Sequence, residues 1–328
     1  MKAVYITDFT GSQGLELKEL PDPSPMETEV LVSVRAAGLN RADLLQARGA
    51  YPPPPGYSPN IPGLEFAGEV IGLGKNVTSW AIGDRVFGIA SGEAQAELIA
   101  SDAELLARIP DNLSFVEAAT VPEAFVTAHD AIFTLADLQP NETLLIHAVG
   151  SGVGLAALQM AKARGVFVIG TSRTSDKVAR CKEEHGLDIG LVIRDPRNFA
   201  GSVRGCTAER GADVILDLVG GEYFPESLVS LAPKGRLVLV GLTAGRMAEV
   251  NLALILQKRA SIIGTVMRPR PLAERVDATR KFADDVLPLL ASGVIRPNLD
   301  RGFPANDVVA AYQYLESNES FGKVVLEF

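Results

Sequence analysis

The sequence predicts a two-domain α/β protein: a β-rich domain, then a doubly wound parallel sheet, then a return to the first domain. Residues 1–120 contain short strands separated by clusters of Gly, Pro, Asn and Asp, which is typical of a sandwich or barrel. From about Phe115, apolar strands alternate with helices, which is typical of a parallel sheet covered on both faces. The last short strand, 323–328, has no neighbour of its own and is expected to join the first sheet.

The predicted elements follow this order along the chain. In the first region we expect strands at 3–7, 29–37, 66–73, 85–89 and 94–100. In the second, strands are predicted at 144–148, 166–171, 190–193, 214–217, 237–240 and 261–266. Helices are predicted at 115–121, 123–135, 153–164, 176–185, 197–210, 222–231, 273–292 and 307–317. The predicted domains are therefore 1–122, 123–266 and the returning segment 267–328.

Four consecutive prolines at 52–55 lie between Tyr51 and Tyr57. Proline lacks an N–H and has a fixed φ, so this stretch is predicted to be a stiff extended loop. It is either a linker or the wall of a cleft. The basic segment 267–270 likewise either lines a cofactor channel or lies on the surface.

A glycine-rich turn joins the first strand and helix of the parallel sheet. Glycines let the backbone approach an anion closely, and the start of a helix offers free N–H groups and a positive dipole end. A pyrophosphate is therefore predicted here, although glycine can also serve the sterics of a tight turn alone. The predicted contacts are Ser151, Gly152, Val153 and Gly154.

The end of the next strand indicates the type of dinucleotide. An NAD-selective unit places a carboxylate there, which bonds the ribose hydroxyls. This chain has Ser172 and Arg173, with Lys177 one helical turn further on. Hydroxyl and cationic groups suit a phosphate monoester, so NADPH is the predicted cofactor. The alternative is a basic helix start exposed to solvent.

Charge and cysteine content narrow the function classes. The net charge of −9 argues against nucleic acid or an anionic membrane as the main partner. Two cysteines form no disulfide framework and suggest a reducing compartment. No apolar run reaches membrane length, and the chain opens directly on a predicted strand. We therefore expect a cytoplasmic protein.

Five motifs occur in one order over nearly the whole chain. They are G-x-N-x-x-D at 38–43, P-G-x-E-x-A-G at 62–68, V-x-x-x-x-x-G-D-R-V at 77–86, A-x-x-S-x-x-G at 148–154 and a closing G-K-x-V-L at 322–326. The chain resembles the medium-chain dehydrogenase/reductase superfamily, in particular its zinc-free, zeta-crystallin-like NADPH:quinone oxidoreductases. The resemblance implies a GroES-like β-barrel domain joined to a Rossmann domain, with the active site in the cleft between them.

The same resemblance indicates whether a metal is bound and what kind of molecule accepts the hydride. Asn40 and Leu64 occupy the positions where zinc-dependent relatives carry Cys and His, so no metal site is predicted. Without a metal, hydride is expected to go to an acceptor that delocalises charge, such as a quinone or an activated enone. Asn40 and Tyr51 are the predicted hydrogen-bond donors beside nicotinamide and substrate. The alternatives are a turn asparagine and a tyrosine packed on prolines.

Further cofactor contacts are predicted where strands of the parallel sheet end. Thr127 and Lys323 are added from the resemblance alone. The strand-end contacts are Val219, Gly220, Gly241, Leu242, Thr243, Thr265, Val266 and Met267.

Other polar residues are given no catalytic role by the sequence. Asp43 is interpreted as a helix-start acid, Glu65 as a buried hydrogen-bond acceptor, and the three histidines as packed or solvated. Strand 261–266 is predicted to be an exposed sheet edge, and relatives pair this edge in two-fold homodimers.

Three functions stay open at this point. The first is an NADPH:quinone oxidoreductase. The second is an NADPH-dependent enone or 2-alkenal reductase, and the third is a non-catalytic, crystallin-like nucleotide-binding protein.

Overall fold

The computed structural model describes all 328 residues, which divide into two compact units. Unit 1 contains Met1–Val126 and Met267–Phe328, and unit 2 contains Thr127–Val266. Unit 1 contains a two-stranded and a seven-stranded sheet, unit 2 contains a six-stranded sheet, and each unit has its own apolar core. None of the helices combines the length and the apolar composition needed to cross a bilayer.

The strands are numbered in chain order. They are β1 (Lys2–Ile6), β2 (Leu15–Glu19), β3 (Glu29–Gly38), β4 (Glu65–Leu73), β5 (Arg85–Ile89), β6 (Leu98–Asp102), β7 (Leu106–Arg108), β8 (Thr143–Ile146), β9 (Phe167–Ser172), β10 (Ile189–Val192), β11 (Ala212–Asp217), β12 (Leu231–Leu239), β13 (Ser261–Gly264), β14 (Leu299–Pro304) and β15 (Lys323–Glu327).

The helices are numbered in the same way. They are α1 (Arg41–Gln46), α2 (Phe115–Ala118), α3 (Pro122–His129), α4 (Gly152–Ala163), α5 (Ser175–His185), α6 (Ala200–Gly205), α7 (Tyr223–Ser230), α8 (Leu252–Lys258), α9 (Leu272–Ala291) and α10 (Val308–Ser317).

In unit 1, the long strand β3 is the centre of the main sheet. It pairs antiparallel with β4, β6 and β15, and its alternate residues Val30, Val32 and Val34 are buried in one apolar cluster. The pairing of β15 with β3 confirms that the chain returns to the first sheet. Strand β14, which no sequence pattern predicted, lies parallel to β15 on its other side.

In unit 2, six parallel strands lie in the order β10-β9-β8-β11-β12-β13. By position in the chain this is the order 3-2-1-4-5-6 of a doubly wound dinucleotide-binding sheet, which confirms the predicted fold class. The strand order reverses between β8 and β11, and ligands of such sheets bind at this point, outside the carboxyl ends of the strands.

Several predicted elements differ in extent from the observed ones. The helix expected at 123–135 is α-helical only to His129, and Asp130–Leu135 continues as a π-helical segment. The helix expected at 197–210 is only Ala200–Gly205, because Ala208 and Glu209 have positive φ angles of 47° and 63°. The strand expected at 94–100 begins only at Leu98.

Candidate functional site

Asn40 lies between β3 and α1, and its side-chain amide is bonded at both ends. Its Nδ2 donates to Glu65 Oε1 at 2.9 Å, and its Oδ1 accepts from Lys323 Nζ at 2.6 Å. An amide nitrogen carries two hydrogens, so one N–H is left over for another acceptor. The two bonds therefore fix the orientation of the amide, and its nitrogen is the atom that can donate to a ligand.

Lys323 and Glu65 form a buried ion pair around Asn40. Their Nζ and Oε1 atoms are 2.5 Å apart, and their side chains are 5% and 0% exposed. Lys323 also donates to Leu39 O at 2.7 Å, so its three N–H groups serve Leu39, Asn40 and Glu65. The cofactor role predicted for Lys323 stays a prediction, and the structure shows that its ammonium orients Asn40.

Glu65 is a buried hydrogen-bond acceptor, as predicted. Besides Asn40 and Lys323, it bonds the start of α3, because its Oε2 accepts from the backbone N–H of Glu123 at 2.8 Å. Asp43 is likewise the predicted helix-start acid. It accepts from Asn40 N at 2.8 Å and from Gly63 N at 3.2 Å, and burial raises its pKa to about 6.

Glu123 is a residue for which the sequence analysis proposed no role. It lies in the first turn of α3, and burial, with the charge of Glu65 next, raises the pKa of its carboxyl to about 8. An acid embedded in the apolar run 121–126 after Pro122 is the signal that could have identified it.

Tyr51 is held by a buried arginine that is distant in sequence. Arg268 Nη1 donates to Tyr51 O at 3.0 Å, and the guanidinium carbon lies 5.2 Å from the centre of the tyrosine ring. Its other groups donate to Gln46 Oε1 at 2.6 Å and Ser91 O at 2.7 Å. Arg268 is 4% exposed, so the suggestion that segment 267–270 is simply surface is wrong for this residue.

In unit 2, the glycine-rich turn leads from β8 directly into α4. Ser151 is the N-cap residue, and its hydroxyl accepts from Gly154 N at 3.1 Å. A Cβ at Gly154 would lie 2.6–2.8 Å from backbone atoms of Ala148 and Val149, so only glycine fits there. The first-turn N–H groups of Gly152 and Val153 have no intrahelical acceptor, which suits an anion.

The other residues predicted to bind the cofactor in unit 2 follow the ends of its parallel strands. Ser172 ends β9; Arg173 is exposed beyond it, and Lys177 is in the first turn of α5. The residues predicted at the remaining strand ends follow β11, β12 and β13, namely Val219, Gly220, Gly241, Leu242, Thr243, Thr265 and Val266.

Two further observations concern the loop after β11 and Thr127 at the start of unit 2. The N–H groups of Val219 and Gly220 are both held by Asp217 Oδ1, at 2.9 and 2.8 Å. The buried hydroxyl of Thr127 has no hydrogen-bond partner within the protein, which fits a residue that bonds a ligand. The residues of unit 2 therefore fit a dinucleotide.

His147 packs inside unit 2, as predicted. Ser227 donates its hydroxyl hydrogen to Tyr223 O at 2.8 Å, so its Oγ, 2.9 Å from His147 Nε2, accepts from that nitrogen. Nδ1 then accepts from Thr171 Oγ1 at 3.0 Å, and burial lowers the pKa of the ring. His147 is therefore a neutral core residue.

The residues of unit 1 do not fit a zinc ion. The amide of Asn40 is engaged by Glu65 and Lys323, and Leu64 presents only an apolar side chain that is 2% exposed. In the whole chain, no group of three or more His, Cys, Asp or Glu side chains lies close enough together to hold a metal.

Family models and known proteins agree with this architecture. The alcohol dehydrogenase GroES-like domain matches residues 26–131, and the zinc-binding dehydrogenase domain matches residues 152–284. A quinone oxidoreductase of Pseudomonas aeruginosa is 33% identical over 331 residues, which cover 99% of both chains. The protein belongs to the medium-chain dehydrogenase/reductase superfamily and is an oxidoreductase of that family.

Three solved structures show what this chain is similar to in detail. A mycobacterial protein complexed with NADPH has a TM-score of 0.87 and 30% identity, covering 100% of both chains. An NAD-dependent alcohol dehydrogenase has a TM-score of 0.88 and 29% identity, again covering 100% of both. The CurK enoyl reductase has a TM-score of 0.84 and 27% identity, covering 99% of this chain and 98% of its own.

Proposed function

We propose that this protein is an NADPH-dependent reductase that transfers hydride to quinones without a metal. The observation that carries the proposal is the arrangement around Asn40, where a buried Lys323–Glu65 pair holds a hydrogen-bond donor in place of a metal ligand. The similarity to the quinone oxidoreductase of Pseudomonas aeruginosa supports the choice of acceptor. The mycobacterial NADPH complex supports the choice of cofactor.

The roles of the residues follow from their chemistry. Ser151, Gly152, Val153 and Gly154 would hold the pyrophosphate, and Ser172, Arg173 and Lys177 the additional phosphate. Thr127 and the residues after β11, β12 and β13, with Met267, are assigned to the rest of the cofactor. NADPH, when bound, supplies the hydride.

The acceptor is assigned to Asn40 and Tyr51. As hydride arrives, negative charge develops on the acceptor's oxygen. The second N–H of Asn40 and the phenol of Tyr51 are the donors that would stabilise this charge. Arg268 bonds the backbone oxygen of Tyr51 and lies over its ring, so the phenol loses little conformational entropy when the acceptor binds.

A second candidate is reduction of conjugated enones. The similarity to the CurK enoyl reductase favours it. The site residues and the cofactor are the same for both candidates. The two candidates differ in what is reduced, a C=C bond in an enone and the C=O groups in a quinone.

Oxidation of NADPH in the presence of a panel of quinones and enones tests the proposal. We expect turnover with one of these classes and an unchanged rate after exhaustive dialysis against a chelator. A chain that binds NADPH but reduces neither class would support the non-catalytic alternative. Activity that is lost on chelation and restored by zinc would contradict the metal-free mechanism.

We also propose a homodimer through β13, which forms one edge of the six-stranded sheet. Ile262 is 37% exposed there, and Leu252 and Leu256 of the adjacent helix α8 are 66% and 78% exposed. Apolar side chains at an open strand edge favour pairing with a second copy. Ile263→Lys is expected to shift the mass measured by light scattering from dimer to monomer.

A matched control is Val192→Lys on β10, the opposite edge of the same sheet, where Val192 is 38% exposed. This variant should remain dimeric, because only the β13 edge is assigned to the contact. A native protein that is monomeric at micromolar concentration would disprove the homodimer.

A further inference from the structure

The carboxyl group of Glu123 lies among charged groups, but both nearby cations, Lys323 and Arg268, bond other residues. Lys323 directs its three N–H groups at Leu39 O, Asn40 Oδ1 and Glu65 Oε1. Arg268 donates to the backbone oxygens of Ser91 and Tyr51 and to the amide of Gln46. Neither cation is paired with Glu123, so an ionised carboxylate there would lack a counter-ion.

The neighbouring acids make ionisation still less favourable. Glu65 carries the negative charge that Lys323 neutralises, and it contacts Glu123 directly through the backbone N–H of α3. Asp43 of α1 is a further acid in this group, and Tyr51 is the remaining titratable neighbour. The charges of Lys323, on β15, and Arg268, just before α9, lower the pKa of Glu123.

Glu123 is also more exposed to solvent than Glu65 and Lys323. Its side chain is only partly buried, whereas Glu65 is fully buried and Lys323 is 5% exposed. Of these residues, Glu123 is therefore the one that a small molecule or water can reach. A neutral carboxyl is an O–H donor that can give up its proton, and the backbone of Glu123 is joined to Asn40 through Glu65, which accepts from both.

We propose that Glu123 is held as a neutral carboxylic acid and supplies the proton that the acceptor takes up during reduction. The inference rests on the proposed function, which it extends by naming the source of the proton. It concerns quinones and enones alike, because both acceptors take up one hydride and one proton.

An enone gains two new bonds to hydrogen in this reaction. Hydride from the reduced cofactor, which becomes oxidised, forms a C–H bond at the β-carbon, and the π electrons move to leave negative charge on the oxygen. The O–H bond of Glu123 then breaks, and its proton forms the second bond, to the α-carbon or to oxygen. A quinone takes up the same hydride and the same proton, and together they convert its two C=O groups into the two O–H groups of the hydroquinone. Water afterwards returns a proton to the carboxylate.

The first test needs neither cofactor nor acceptor. In the full-length protein with ¹³C-labelled glutamate carboxyls, the Glu123 resonance is identified by its absence from Glu123→Gln. We expect it to titrate near pH 8, well above an ordinary glutamate at about 4.3. The control, Glu16→Gln, removes an exposed residue of β2 and should remove an ordinary resonance. A Glu123 resonance that titrates near pH 4–5 would overturn the inference.

The second test follows acceptor reduction as a function of pH. The native rate should fall as the pH rises through about 8, because the acid is lost. Glu123→Gln should lack this fall and be slower at pH 7 by roughly 10²–10⁴-fold, with unchanged NADPH affinity. Glu123→Asp should recover part of the rate, and Glu16→Gln should behave as the native protein.

The outcomes separate the inference from the proposed function. If the native protein reduces none of the acceptors, the proposed function fails and the inference fails with it. If the native protein reduces an acceptor and Glu123→Gln keeps both its rate and its pH profile, the inference alone is wrong. A Glu123→Gln variant that is slow but keeps the native pH profile would make Glu123 a structural residue and would also reject the proton-donor role.

Discussion

Lys323→Met is expected to destabilise unit 1 by about 3–5 kcal/mol, because it leaves the carboxylate of Glu65 buried without its cation. Glu65 would keep only its bonds from Asn40 and from the N–H of Glu123. The single tryptophan, Trp80, belongs to unit 1 and bonds Ala103 O, so its fluorescence during urea unfolding reports on this unit. The urea midpoint should fall, with an unchanged slope of the transition.

Two further variants test whether the buried charge is the cause. Lys281→Met removes an exposed lysine that pairs with Asp277 one turn away on α9, and should cost at most about 0.5 kcal/mol. Adding Glu65→Gln to Lys323→Met should restore much of the lost stability, because both charges are then gone. A midpoint of Lys323→Met equal to that of Lys281→Met would contradict the role assigned to this ion pair.

The double variant Arg173→Ala, Lys177→Ala is expected to lose most of the preference for NADPH over NADH. Each charge-assisted hydrogen bond to the additional phosphate contributes about 1.5–3 kcal/mol, or roughly 10- to 150-fold in affinity. The structure favours this role because Arg173 is exposed beyond the end of β9, and Lys177 is in the first turn of α5. Titration calorimetry with both cofactors measures the preference.

The matched control is Lys182→Ala, which removes an exposed cation further along the same helix. It should leave the ratio of the two affinities unchanged, since Lys182 is in the last turn of α5 and not in the first turn, which follows β9. Equal affinities of the native protein for NADPH and NADH would reject NADPH as the preferred cofactor.

Local patterns in the sequence determined the fold class and the glycine-rich turn of the candidate site. Apolar strands alternating with helices are sufficient to indicate a parallel sheet, since both of its faces are buried and its strands have no polar side. The glycine-rich turn was predictable for a similar reason. Its chemistry lies within seven consecutive residues, from Ala148 to Gly154, and the neighbouring strand and helix give its orientation.

Element boundaries were less predictable where backbone conformation overrides pattern. The helix expected at 197–210 ends early because residues near its predicted end adopt left-handed φ angles. The strand β14 was missed because its short sequence, Leu299–Pro304, contains glycine, proline and charged residues. Its place in the sheet depends on pairing with β15, which no local pattern specifies.

Only the tertiary structure decided which polar residues meet in unit 1. Lys323 reaches Asn40 across 283 positions of sequence, and Arg268 reaches the Tyr51 backbone across 217. A single residue gives no periodic pattern, so contacts between residues this far apart cannot be predicted from the sequence. The pKa of Glu123 depends on this in turn: burial and the charge of Glu65 raise it to about 8, and both causes arise only in the folded arrangement.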